Sequence, residues 1–233
     1  MNLENIIYAL LAGVLPALLW LWFWLREDNL HPEPKSLIAI SFLAGCTSVI
    51  IAIILEKIAQ DFILDTTYRY IAWSAIEEII KFGVFAIVIF KSKFFDEPID
   101  AMIYLITIAL GFAAIENTLF ILSSLSTSEL TSSLITGNLR FIGASLVHVV
   151  SSAVLGFMIG ISIYKNSGLK FFSVLLGIIL SIVLHTAFNL AIISTTATNT
   201  LKVFGGVWIT VVILIILFEE IKAVKPKEGL EKV

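Results

Sequence analysis

The chain has 233 residues, of which 59% are hydrophobic and 14% charged, with a formal net charge of −3 and a mean hydropathy of +1.02. A soluble globular domain carries about 25% charged residues, so this composition excludes that class and points to a polytopic membrane protein. Any activity then resides in or beside the bilayer.

A spanning helix needs about 20 mostly apolar residues. Seven segments meet that need, near 4–25, 36–59, 69–91, 99–124, 140–164, 170–194 and 200–221. The expected fold is all-α, a polytopic transmembrane helical bundle of about seven spanning helices. It forms a single integral-membrane domain over 1–221, followed by a short cytoplasmic tail over 222–233. The first segment has no basic flank ahead of it and no small-residue cleavage site before Arg26, so it reads as a retained span. The connection after it contains "HPEP", His31 to Pro34, whose prolines stop helices and whose histidine reads as a surface residue. The second segment holds Cys46, the only cysteine, which excludes an intrachain disulfide and any multi-cysteine metal site.

The third segment contains "AWSAIEEIIKFGVF", Ala72 to Phe85, with three ionisable groups in an otherwise apolar run. Ahead of the fourth, Pro98 suits a first helical turn, and Asp96, Glu97 and Asp100 favour the positive end of the helix dipole. The longest connection, "STSELTSSLITGN" from Ser126 to Asn138, separates the fourth and fifth segments as a loop. "GFMIG", Gly156 to Gly160, is a small-xxx-small pattern suited to close helix packing. Basic residues divide unevenly between the two sides of seven spans. One side has Arg26, Lys35, Lys91, Lys93, Lys165, Lys170, Lys222, Lys225, Lys227 and Lys232, and the other has Lys57, Arg69, Arg140 and Lys202. The positive-inside rule then predicts a multi-pass protein of the plasma membrane with its N-terminus outside and its C-terminus cytoplasmic.

A charged side chain at the centre of a spanning helix costs about 2.5–3.5 kcal/mol on insertion scales. Here four consecutive spans carry polar groups that a bilayer should reject: Glu77, Glu78 and Lys81, then Glu116 and Asn117, then His148, then His185 with Asn189. No comparable set stands out in the first, second or seventh. Lys81 is four residues from Glu77 and three from Glu78, so it can pair with either, while the two carboxylates point about 100° apart. His185 and Asn189 share a helical face. Counted from the span ends, these groups fall in the cytoplasmic-to-middle part of the core.

Each group has a plain structural role open to it. Lys81 with Glu77 forms an internal charge pair, His148 bonds the serines around it, and Asn117 joins helices through hydrogen bonds. Together they allow more. Two imidazoles and carboxylates in a dry cavity are what a hydrolytic zinc site needs, with a further glutamate as general base. "HExxH" is absent, so ligands would come from separate helices. A metal-free arrangement, with a carboxylate activating water and histidine plus asparagine stabilising an oxyanion, remains equally open. A credible Ser-His-Asp triad, a Gly-rich phosphate loop and basic patches with interleaved aromatics are all missing, so nucleic acid is not a partner.

The stretches "EEIIKF" (Glu77 to Phe82), "FDEPIDAMIY" (Phe95 to Tyr104), "GFAAIEN" (Gly111 to Asn117), "HVVSSAVLGFMIG" (His148 to Gly160) and "HTAFN" (His185 to Asn189) resemble, in order and spacing, the signatures of the PrsW family of intramembrane proteases. The resemblance runs from about Trp24 to Leu190, and "REDNLHPEPK" resembles that family's first cytoplasmic loop. More distantly the chain is similar to the CAAX-type prenyl proteases and their bacterial relatives, with Lys81 one position before their arginine and Glu116 at the histidine of FxxxH. Ala101 stands where the family usually has glycine, and Asn189 where it often has aspartate.

The resemblance implies a membrane-embedded, metal-dependent endopeptidase acting on single-span membrane proteins such as anti-sigma factors. The resulting expectation puts Glu116, His148 and His185 around a zinc ion. Glu77 or Glu78 is the base and Asn189 an oxyanion donor. Lys81, Asn117, Asp96, Glu97 and Asp100 support the site. A proton- or cation-coupled transporter could use the same intramembrane groups as a relay, and a non-catalytic membrane adaptor could retain them. Paired Gly/Pro-broken helices in two repeated halves, which a transporter would favour, are not evident.

Overall fold

The computed structural model describes residues 3–28, 31–127, 130–193 and 197–225. The side chains of 126, 127, 130–142, 144, 192, 193, 197–204 and 207 are not described. Of the charge count, the side chains of Arg140 and Lys202 are therefore not described, and Lys227 and Lys232, with the tail beyond 225, lie outside the described residues.

The described chain is helical throughout, without strands: α1 Leu3–Trp24, α2 Lys35–Phe62, α3 Thr66–Val88, α4 Asp100–Thr127, α5 Leu130–Gly160, α6 Ser167–Ile193 and α7 Ala197–Lys222. This is the polytopic helical bundle expected. Of these, α1, α2, α4 and α6 are long and apolar enough to cross a membrane by length and composition alone. In lipid every backbone polar group must be satisfied within the segment, and that requirement accounts for the main departure from expectation. The Ser/Thr-rich stretch taken as a loop over 126–138 is largely absorbed into helix, because α4 runs to Thr127 and α5 starts at Leu130.

The helix starts follow local chemistry. Pro34 precedes α2, and the Asp65 side chain caps α3 by accepting from the Tyr68 amide at 3.0 Å. The α4 start is two residues later than Pro98 suggests. Asp100 Oδ2 accepts from the amides of Asp96 at 2.9 Å and Glu97 at 2.7 Å, closing a turn ahead of the helix.

At the centre lies α4, packed against α1, α2, α3 and α5. Every residue from Ala101 to Ala114 is buried, as a helix apolar all round requires. Its neighbours approach it through glycine. A Cβ at Gly45 would collide with the Ile108 carbonyl, and one at Gly111 with the Phe42 carbonyl, so α2 and α4 cross almost backbone to backbone. Gly156 of the "GFMIG" pattern packs the same way against Ala101 and Met102. These contacts hold α2 and α5 against α4, while α3 packs on α2 and α6 and α6 on α5, so the polar groups of α3, α4, α5 and α6 meet.

Candidate active site

Glu77, Glu78 and Lys81 lie mid-helix in α3, and all three are buried. Serine makes their burial tolerable. Glu78 Oε1 accepts from Lys81 Nζ at 2.8 Å and faces His185 Nδ1 at 2.8 Å. Its other oxygen accepts from Ser181 at 3.1 Å and Ser152 at 3.4 Å. A buried carboxylate with this many donors is fully committed. Glu77 is held more loosely. Its Oε2 is 3.5 Å from Lys81 Nζ, 3.6 Å from His148 Nδ1 and 3.8 Å from His185 Nε2.

The imidazoles meet edge to face, with centroids 4.9 Å apart at 86°. Lys81 Nζ is 2.7 Å from His148 Nδ1. An ammonium only donates, so Nδ1 accepts and the ring proton sits on Nε2, facing Glu116. That nitrogen is 2.7 Å from Glu116 Oε2, an ion-pair contact. His185 uses Nδ1 toward Glu78, which leaves the Nε2 lone pair facing Glu77. Such a carboxylate–imidazole contact fixes the tautomer and orientation that a metal-binding histidine needs.

Among the described residues, the group able to hold a metal ion is Glu77, His148 and His185, whose donor atoms all lie within 4.8 Å of one another. Four-coordinate zinc with bonds of about 2.0–2.2 Å separates its ligands by roughly 3.3 Å, close to the 3.6 and 3.8 Å from Glu77 Oε2 to the two imidazoles. The carboxyl groups outnumber the single lysine, Lys81, so the cluster favours a cation. Glu116 stands to one side, its side chain 43% exposed.

The remaining predicted residues frame this centre or lie away from it. Asn117 Nδ2 donates to Ser145 Oγ at 3.0 Å, joining α4 to α5, and Asn189 Nδ2 donates to Ser74 Oγ at 3.4 Å, joining α6 to α3. Asp96, Glu97 and Asp100 lie at the loop end of the bundle, outside the cluster.

The family model described as PrsW family intramembrane metalloprotease matches residues 33–218, most of the chain and every element that builds the site. The chain belongs to the PrsW family. It is accordingly an intramembrane protease and a multi-pass membrane protein, and the transporter alternative has no support. A Protease PrsW of Oceanobacillus iheyensis is 30% identical over 185 residues, spanning 76% of this chain and 80% of that protein. One from Clostridioides difficile is 30% identical over 167 residues, 69% and 67% of the two chains. That of Bacillus subtilis is 24% identical over 114 residues, about half of each. No solved structure matches the chain.

Within this PrsW family member, two features escaped the sequence reading. Ser181 is one turn before His185, a spacing that could have marked it as a partner. Glu56 lies on α2, where the sequence showed no polar set, and its carboxyl group lies close to that of Glu77. A single glutamate next to Lys57 near a helix end gives no such signal, because such a pair is usually solvated.

Proposed function

We propose that the protein cleaves single-span membrane proteins, of the anti-sigma-factor kind, at a zinc centre held by Glu77, His148 and His185. The observation that supports this most is the convergence of those three donors from α3, α5 and α6 within 4.8 Å in a buried setting. Relative to the sequence expectation, Glu77 and Glu116 exchange roles: Glu77 is a ligand, and the more exposed Glu116 is the general base. Zinc bound there would supply Lewis-acid polarisation and a water molecule acidic enough to ionise near neutral pH.

The chain's own residues do the rest. Glu78 is not the base, because its oxygens are committed to Lys81, His185, Ser152 and Ser181; it fixes the His185 ring. Lys81 neutralises Glu78, and its ammonium would withdraw from His148 Nδ1, to which it donates in the metal-free cluster, so that this lone pair can hold the ion. Glu116 takes a proton from the attacking water and returns it to the leaving amine. Asn189, one turn from His185, turns its amide from Ser74 toward the developing oxyanion. The substrate helix unwinds locally to present its peptide bond, since helical carbonyls and amides are otherwise shielded by their own hydrogen bonds. The protein sits in the plasma membrane with its N-terminus outside and the 222–233 tail cytoplasmic.

Metal content by mass spectrometry tests the centre. Detergent-purified wild type, prepared without chelators, should carry about one zinc per chain, and the His148→Ala/His185→Ala double variant none. Zinc retained in the variant, or absent from the wild type, would contradict the assignment.

A further inference from the structure

A hydroxyl buried in a helical bundle can satisfy itself on the carbonyl one turn back. Ser48, Thr107, Thr118 and Ser162 do so, at 2.7 to 2.8 Å, and Ser152 and Ser181 donate to Glu78. Ser151 does neither. It is 1% exposed, and among the described residues its Oγ has no hydrogen-bond partner. Ser41 and Thr186 share that state, but Ser151 also lines a cavity to which neither of them contributes.

That cavity, of about 290 Å³, is bounded by α5, α6 and α7 and carries no charged residue in its lining. Buried Val147, Val150 and Ser151 of α5 form its floor, and the more exposed Leu184 and Phe188 of α6 and Gly206 of α7 form its rim. Helix α7 packs on α5 and only lightly on α6, and a Cβ added at Gly206 would meet no atom, so the slot is open between α6 and α7. Its walls are the walls of the catalytic centre. Val147 precedes His148, Ser151 precedes Ser152, Leu184 precedes His185 and Phe188 precedes Asn189. One residue is a turn of about 100°, so on both helices the slot occupies the face adjoining the site, at the same level.

Building on the proposed cleavage of single-span proteins, we propose that the substrate's span enters between α6 and α7 and seats its scissile stretch in this slot, where Ser151 hydrogen-bonds its backbone. A helix is about 10 Å wide and rises 1.5 Å per residue, so the cavity takes roughly two or three residues: the unwound stretch, with the rest of the span left in lipid. Unwinding frees amides and carbonyls that lipid cannot satisfy. A hydroxyl donates and accepts, so Ser151 can meet either group and gain the partner it lacks. A lipid acyl chain would fill the slot and leave Ser151 unpaired, which favours a peptide as the occupant.

Photo-crosslinking in proteoliposomes tests this, with the full chain and a fluorescently tagged single-span protein. Benzoylphenylalanine replaces Phe188 in one sample and Ile51, exposed on α2, in another, each with Glu116→Gln to halt turnover. An adduct with the tagged protein is expected from the Phe188 position and none from the Ile51 position. Gly206→Leu, which fills the slot, should raise KM for cleavage about tenfold with kcat little changed. Ser151→Ala should lower kcat/KM about tenfold at unchanged zinc content, as loss of one hydrogen bond requires, and Ser151→Thr should restore most of it. Equal adducts from the two positions, an adduct with lipid alone at the Phe188 position, or wild-type kinetics in both Gly206→Leu and Ser151→Ala would overturn the slot and leave the proposed function standing. If the wild type cleaves nothing, the proposed function falls, and the adduct at the Phe188 position decides whether the slot takes a span.

Discussion

Glu77 and Glu78 are neighbours in the chain and live in different surroundings. A helical step of about 100° turns Glu78 toward Lys81, Ser152, Ser181 and His185, while Glu77 faces the two imidazoles at 3.6 and 3.8 Å. Glu78→Gln should therefore misplace His185 and lower cleavage by at least 100-fold, measured as turnover of a labelled single-span substrate. Ser181→Ala, which leaves Glu78 its other partners, should lose about 10-fold or less, with Ser181→Thr recovering most of it. Lys81→Met leaves buried carboxylates without their counter-charge and should cost about 3–5 kcal/mol, seen as a lower thermal transition in detergent. The charged set itself was legible in the sequence because lipid excludes unexplained charge. Which glutamate faces the imidazoles was not, since that depends on the rotation of α3 against α5 and α6. Glu56 was illegible for a related reason: only the crossing of α2 over α3 brings it to Glu77.

The number and order of the helices, and the starts of α2 and α3, were readable because proline, aspartate and apolar runs act locally. The α4–α5 connection reads as a loop because serine and threonine are weak helix formers, and only the demand for internal backbone bonding decides the issue. What draws α2 onto α4 is the pair Gly45 and Gly111. Gly111→Val would force these backbones apart and should destabilise the protein by about 1–3 kcal/mol or more, with cleavage falling in parallel as Glu116 shifts; a thermal transition unchanged from wild type would refute the crossing. At the loop end, burial pushes the Asp28 carboxyl up to about 7 and that of Glu33 to about 8, so both bind more protons in the folded than in the unfolded chain. Stability should then fall as pH rises from about 4 toward those values. Asp28→Asn should flatten that dependence, as read from thermal transitions across the range.

The whole molecule gathers its polar groups inside the bundle, well away from the helix ends. Along the helices, Glu77 is 11 residues from the loop end at Val88 and His185 is 18 from the start of α6 at Ser167, roughly 17 and 27 Å at 1.5 Å per residue. Hydrolysis there needs a water path and a locally unwound substrate, which is why an enclosed cluster with one more exposed member, Glu116, suits the task. The proposed orientation predicts that a cysteine at Ser92, in a Cys46→Ala background, stays unlabelled by an impermeant maleimide in intact cells, whereas one at Asp65 is labelled.

The most direct test is cleavage of a fluorescently tagged single-span protein by the purified chain in proteoliposomes, wild type beside Glu77→Gln and His185→Ala. The geometry predicts a single new fragment with wild type, cut within the membrane segment, and none with either variant. Equal fragment from the variants, or a cut confined to the soluble part of the substrate, would contradict a hydrolytic centre at this cluster.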